Sequence, residues 1–391
     1  MNFDKLTKYI DSLESKYGIP AVDCKITKDH KVIYRHMAGN SDYEKRKPLT
    51  DKNLFRLFSA TKLITMTAVL QLVEAGKIRL YDELRQYLPE FDRLLVADEF
   101  VMEFPTHWPT QDDKCHLAHK TIRIIDLMTM TAGLSYDTGA KELMYIKEKS
   151  DNQATTRDVV REMAKMPLIY EPATRWSYSL AHDILAAVVE VISGMKFSDY
   201  LKKNIFEPLE IKDFYFHWDS ELEKRICAIY MGVWGTDDIK PDDGFMSNGF
   251  KITNNYESGG AGLAGSVDAY SMFADALCND GVGANGKRIL GSEMIALFTI
   301  EYTQGQMQTD FEFTGKIGYG YGLGVRVLRD GTASKTPIGE FGWDGAAGAY
   351  VVIDPFNHIS IFYTQHIVGY PKVYSDIHPM IRDLSYEAME L

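Results

Sequence analysis

The sequence predicts an α/β protein of the α+β type: an antiparallel sheet built from both chain ends, flanked by helices and carrying an inserted, mainly helical lobe. Three observations point there. Strand-like runs rich in β-branched and aromatic residues lie near the N-terminus and again in the last third. The stretch between them is dominated by apolar residues at helical spacing, broken by loops. No internal repeat or low-complexity linker separates the parts, so the strands of both ends have one core to share.

In order, Phe3, Leu6, Ile10 and Leu13 form one helical stripe over residues 2–17. Residues 22–26 and 32–37 read as two short strands with Lys28-Asp29-His30 as their turn. A helix is predicted from Ser59 to about residue 75, with Leu63, Met66, Leu70 and Val73 at helical spacing and Gly76 closing it. Residues 100–121, marked by Pro105, Trp108 and Pro109, read as a long loop. Helices follow at 121–130 and 180–192, the second ended by Gly194. A glycine-rich loop at Gly259, Gly260, Gly262 and Gly265 precedes a helix at about 267–278. Strand-like runs at 319–328, 346–353 and 359–366 and a last helix at about 372–388 complete the chain. We read one domain over 1–391, its sheet part about 1–58 plus 258–391 and its helical part about 59–257.

Composition excludes several functions. Lys plus Arg number 43 and Asp plus Glu 55, a net charge of −12. The densest basic run, Lys45-Arg46-Lys47, is too short to offset that charge against a phosphate backbone, so no nucleic-acid partner is expected. No stretch approaches the roughly 18 apolar residues of a membrane span. The first residues read as amphipathic helix rather than signal peptide. Cys24, Cys115, Cys227 and Cys278 are scattered, which fits free thiols and a cytoplasmic location.

The chemistry is concentrated in Phe55-Arg56-Leu57-Phe58-Ser59-Ala60-Thr61-Lys62. A serine at a helix start and a lysine three residues later share a helical face. A serine hydroxyl is inert until a base takes its proton, and a lysine serves as base only if burial lowers its pKa below about 10.4. The helix N-terminus adds positive partial charge, and the Ser59 N–H is one oxyanion donor. The competing reading is an N-cap serine and a surface lysine. Against it, no further charge follows Lys62 before Glu74.

Two more elements fit this chemistry. Tyr178, in Trp176-Ser177-Tyr178-Ser179-Leu180, stands just before an apolar helix, placed to relay a proton or, in the competing reading, to pack on Trp176. Phe341-Gly342-Trp343-Asp344-Gly345-Ala346-Ala347-Gly348 leads into a strand. Its small residues either let a substrate lie against the backbone, with the Ala346 N–H as second oxyanion donor, or mark a tight turn.

The ordered set Ser59-x-x-Lys62, Tyr178-Ser179 and Trp343-x-Gly345 resembles the beta-lactamase-like serine hydrolases, which include class C beta-lactamases, D-alanyl-D-alanine peptidases and esterases. The likeness runs through 124–134, 257–263 and 319–324 and covers nearly the whole chain. It implies a beta-lactamase/transpeptidase-like fold, with Ser59 as acylated nucleophile, Lys62 as base, Tyr178 as proton shuttle, and the Ser59 and Ala346 N–H groups on the oxyanion. Two departures bear on substrate. Leu180 stands where beta-lactamases usually carry asparagine, and Trp343 where they usually carry the lysine that attracts a carboxylate. That tryptophan looks like the esterase and acyltransferase branches.

The expectation is therefore an acyl-enzyme hydrolase of small esters or amides, with Trp343, Tyr319, Tyr321 and Gly345 at the pocket. A D-amino-acid peptidase or weak beta-lactamase is the alternative, and a non-catalytic scaffold the second. No cofactor is required, and the oligomeric state is left open. Gly260-x-Gly262-x-x-Gly265 matches a dinucleotide fingerprint but lacks the buried strand before it. Cys115, His116 and His119 lack an obvious fourth metal ligand, so a solvated loop is expected there. His182 is read as structural or at the pocket rim, and Asp183 as a first-turn acid suited to the helix dipole. The loops at 100–120 and 217–257 are expected to shape the pocket.

Overall fold

The computed structural model describes residues 1–104, 106–110, 112–244 and 251–391. Pro105, Gln111 and residues 245–250, which belong to the two predicted pocket loops, lie outside the described residues.

Seven strands form the main sheet: β1 (Ala21–Lys28), β2 (Lys31–Gly39), β3 (Tyr319–Tyr321), β4 (Arg326–Leu328), β5 (Phe341–Gly342), β6 (Tyr350–Asp354) and β7 (Ile359–Thr364). Their spatial order is β3-β4-β5-β6-β7-β1-β2, every pair antiparallel. The N-terminal hairpin thus completes a sheet begun by the C-terminal strands, as expected. Five helices matter for the site: α1 (Asp4–Tyr17), α2 (Thr61–Glu74), α3 (Ala181–Ser193), α4 (Val267–Cys278) and α5 (His378–Met389).

Side-chain alternation along the strands sends the sheet's two faces to different cores. Val22, Cys24 and Ile26 of β1, with Ile361 and Tyr363 of β7, pack under the terminal helices α1 and α5. Val351, Ile353 and Phe362 face the main core, where Phe362 stacks on Tyr270 of α4 at 4.2 Å. Beyond α4 lies α2, buried on nearly every side from Thr61 to Leu70. A helix so enclosed belongs to the centre of the molecule. It packs against α3.

Four expectations are corrected. The run at 319–328 is a hairpin, β3 and β4, because Gly324 takes a left-handed φ of 75° between them. The helix predicted over 121–130 shrinks to Ile124–Met128: Arg123 is its extended N-cap, bridged to Glu83, and Met130 has a positive φ. Residues 345–349 form a turn rather than the start of a strand, closed by Gly345 N–H to the Ala349 carbonyl at 2.8 Å. The loop after residue 100 contains a short strand, Cys115–Leu117, paired antiparallel with Leu95–Ala97. All four cysteines are free, and among the described residues no helix is long and apolar enough to cross a membrane.

Candidate active site

The approach to Ser59 is built from a short strand and a strained turn. Phe55–Arg56 pairs with Ala264–Gly265, then Phe58 adopts a φ of 45°, costly for a bulky side chain. One 3₁₀ turn, Phe58–Ala60, delivers Ser59 to the entry of α2. Phe58 is fixed by packing against Ile229, Ala346 and Ala347, while a β-carbon on Gly345 would come within 2.3 Å of the Leu57 carbonyl. The 345–349 turn therefore abuts the chain leading into Ser59, next to the predicted oxyanion donors.

Lys62 is fully buried, one helical turn on. Its Nζ donates to the Gly260 carbonyl at 2.8 Å and lies 3.3 Å from Ser59 Oγ. Around the amine stand the rings of Tyr178 and Tyr136, with centroids at 4.6 and 5.4 Å. Burial pushes the amine from an ordinary lysine value down to about 7, partly opposed by the Asp183 carboxylate. The expectation of a desolvated amine beside the hydroxyl matches this geometry.

Tyr178 is held in a three-ring stack, Tyr136 on one side at 5.3 Å and Trp343 on the other at 5.6 Å. Its hydroxyl accepts the Trp343 indole N–H at 3.0 Å. Burial pushes the phenol up, so it keeps its proton at neutral pH. The segment bearing it is pinned by Arg175, whose guanidinium makes two hydrogen bonds to Asp310 at 2.7 and 2.8 Å, and by the Trp176 N–H to the same carboxylate.

Two residues escaped the sequence reading. Tyr136, just beyond the 124–134 stretch of likeness, stacks on Tyr178 and stands over the Lys62 amine. Asp183 does not face solvent at the helix dipole; it is fully buried, with Oδ1 accepting from Tyr256 at 2.5 Å and Ser258 at 2.6 Å. A β-carbon on Gly260 would lie 2.8 Å from Asp183 Oδ2 and 3.2 Å from Lys62 Nζ, so carboxylate and amine are within about 6 Å of each other. That crowding explains the glycine. Gly262 and Gly265 likewise pack on the rings of Phe216 and Phe214. His182 is not at the rim: it is fully buried, with its Nε2 beside Gly324.

Trp343 stacks on Tyr178, and Gly345 lies against the Leu57 carbonyl. Tyr321 is fully buried behind Trp343 and Trp176, at centroid distances of 5.2 and 5.3 Å, and so backs the pocket rather than lining it. Tyr319 is drawn elsewhere, its hydroxyl donating to Glu340 at 2.9 Å and accepting from Arg382 at 3.0 Å. Phe104, from the long loop, leans over Tyr136 and Tyr178 at 6.0 Å from each ring, which puts that loop at the pocket. Lys316 lies over Trp343 at 5.3 Å but is paired with Asp344.

The fold is that of the beta-lactamase/transpeptidase-like proteins, with a serine, a buried lysine and a tyrosine converging at the mouth of the central helix. The chain belongs to the beta-lactamase family, whose sequence profile matches residues 6–377. It is 26% identical over 342 residues to Protein Rv1367c of Mycobacterium tuberculosis, covering 85% of this chain and 82% of that protein. It is 27% identical over 357 residues to Esterase EstB of Burkholderia gladioli, covering 84% of this chain and 81% of that one. Among solved structures, EstCE1, described as a hydrolase with promiscuous acyltransferase activity, superposes with a TM-score of 0.76 at 24% identity, covering 98% of both chains.

Proposed function

We propose that the protein is a serine hydrolase that forms an acyl-enzyme on Ser59, a carboxylesterase or amidase of small substrates with ester cleavage its main activity. The observation that carries this reading is the fully buried Lys62 amine, 3.3 Å from the Ser59 hydroxyl and depressed to about 7. Near neutral pH a large fraction of that amine is unprotonated. Its lone pair takes the Ser59 proton as Oγ bonds to the substrate carbonyl carbon, and the oxyanion settles against the Ser59 and Ala346 N–H groups. Tyr178, kept protonated by burial, gives its proton to the departing alkoxide and is reprotonated from the lysine ammonium. Water then attacks the acyl carbonyl, gives up a proton by the reverse relay, and releases the acid.

An ester preference rests on what stands at the pocket wall. Trp343 occupies the place where the resemblance would put a carboxylate-binding lysine, and the nearby Lys316 cation is neutralised by Asp344. A substrate carboxylate finds little attraction there. Esters also demand less leaving-group protonation than amides. That EstB, of comparable length, is named an esterase supports the same choice.

The test is intact mass and turnover with a panel of p-nitrophenyl esters, a chromogenic cephalosporin and D-alanyl peptides. Ester turnover with an acyl adduct on Ser59 is expected. Cephalosporin hydrolysis with esters untouched would replace the esterase reading by a beta-lactamase one. Failure of Ser59 to take a fluorophosphonate label would point to a non-catalytic scaffold. Faster acyl release on adding an alcohol acceptor would mark an acyltransferase.

A further inference from the structure

Away from the serine site, three side chains converge that the catalytic chemistry does not use. His116 sits on the short strand Cys115–Leu117, paired with Val96, and His119 follows in the next turn. Glu171, about fifty residues on, supplies a carboxylate between them. Its Oε1 lies 3.2 Å from His116 Nε2 and 2.8 Å from His119 Nδ1, and both its oxygens accept the His119 backbone N–H, at 3.0 and 3.2 Å. The far side of the His116 ring is also taken: Nδ1 meets Asp98 Oδ1 at 2.7 Å.

Two physical arguments bear on this cluster. A tetrahedral ion bound at about 2.0–2.1 Å holds its ligand atoms roughly 3.3 Å apart. The carboxylate oxygen lies 3.2 Å from His116 Nε2 and 2.8 Å from His119 Nδ1, and the three ligand atoms all fall within 4.8 Å of one another, so small side-chain rotations bring them onto one ion. The second concerns protons. With Nδ1 on Asp98 and Nε2 on Glu171, the His116 ring holds a proton on each nitrogen when no ion is present. An ion at Nε2 displaces the proton there, and the Asp98 bond then fixes the ring's tautomer as outer carboxylates do at histidine metal sites. The spacing of Cys115, His116 and His119 alone suggested a solvated loop because Glu171 is distant in sequence.

We propose that His116 Nε2, His119 Nδ1 and Glu171 bind a divalent transition ion of the zinc type, with the fourth position open to solvent beside the exposed His119. Such an ion clamps the hairpin of Leu95–Ala97 and Cys115–Leu117 to the segment that runs from Glu171 to Tyr178. Its role is to hold that segment, and the acyl chemistry at Ser59 does not pass through it.

The experiment uses the full-length, untagged chain, stripped with chelator and titrated with zinc chloride by calorimetry, with bound metal counted by elemental analysis. One zinc per chain, a higher melting temperature with zinc, and a visible cobalt(II) spectrum of tetrahedral type are expected. His119→Ala and Glu171→Gln should each weaken zinc binding at least tenfold and abolish the melting shift. Because the His119 side chain is exposed, the alanine variant tests the site without threatening the fold. No uptake at micromolar zinc, or uptake unchanged in both variants, overturns the proposal and leaves the cluster an ion pair between imidazolium and carboxylate. These readouts do not depend on Ser59.

Discussion

Two buried polar regions of this molecule invite comparison. One, at the far side of the β4–β6 strands, contains Arg326, Glu340, Asp344 and Arg382; the other, at the mouth of α2, contains Lys62, His182 and Asp183. In the first, every charge has an opposite partner: Arg326 reaches Glu340 at 3.0 Å and Asp344 at 3.3 Å, and Lys316 and Arg326 together hold the Asp344 carboxyl down at about 2. In the second, burial wins over pairing. Lys62 donates to a carbonyl and a hydroxyl, Asp183 Oδ2 and both His182 nitrogens make no hydrogen bond among the described residues, and the lysine is pushed down while Asp183 is pushed up, by burial. A saturated network stiffens a fold, whereas a buried base left without a compensating charge and pushed toward neutral pH is available for proton transfer.

The contrast is broken most directly at Lys62. Lys62→Met should lower kcat/KM for ester substrates by ~10²–10⁴-fold, the range for losing a positioned base, and suppress fluorophosphonate labelling of Ser59. Unchanged labelling would remove Lys62 from the mechanism.

In the saturated region the expected loss is of stability. Arg326→Met leaves Glu340 and part of Asp344 uncompensated in a dry environment, at a cost of about 3–5 kcal/mol. Denaturant melts read this directly, and a loss below about 1 kcal/mol would mean that the network is not saturated as described.

A smaller effect is expected at Asp183, which sharpens the comparison. Its carboxylate raises the Lys62 pKa against the downward pull of burial, so removing that charge lets the amine fall further. In Asp183→Asn the acid limb of kcat/KM, near pH 7 in the parent, should move to lower pH. Activity lost without any movement of the limb would make Asp183 a packing residue only.

How much of this was legible follows from the range of each contact. Ser59 and Lys62 stand three residues apart, so a helix alone places them together, and the alternation of β1, β6 and β7 is local too. Tyr178, Trp343 and Gly345 came through the resemblance. Asp183 did not, because a first-turn acid already has a local explanation, while its real partners Tyr256 and Ser258 lie more than seventy residues away. Tyr319 failed for the same reason: its hydroxyl is claimed by Arg382 of the last helix. Glu171 is hidden from His116 and His119 by sequence distance alone.

The last expected effect is thermodynamic and concerns the same Lys62→Met variant. An amine with a pKa of about 7 when folded and about 10.4 when unfolded binds fewer protons in the native state throughout that interval. Wild-type stability therefore rises with pH between about 7 and 10.4 on account of this group, and below 7 the fold carries the full desolvation cost. Methionine is uncharged at every pH and carries no such cost, although the Gly260 carbonyl loses its donor. The variant should accordingly melt higher than wild type at pH 6–7, and the difference should narrow and vanish toward pH 10. Parallel melting curves across that range would show that Lys62 titrates as an ordinary surface lysine, and the distinction between the two polar regions would fail with it.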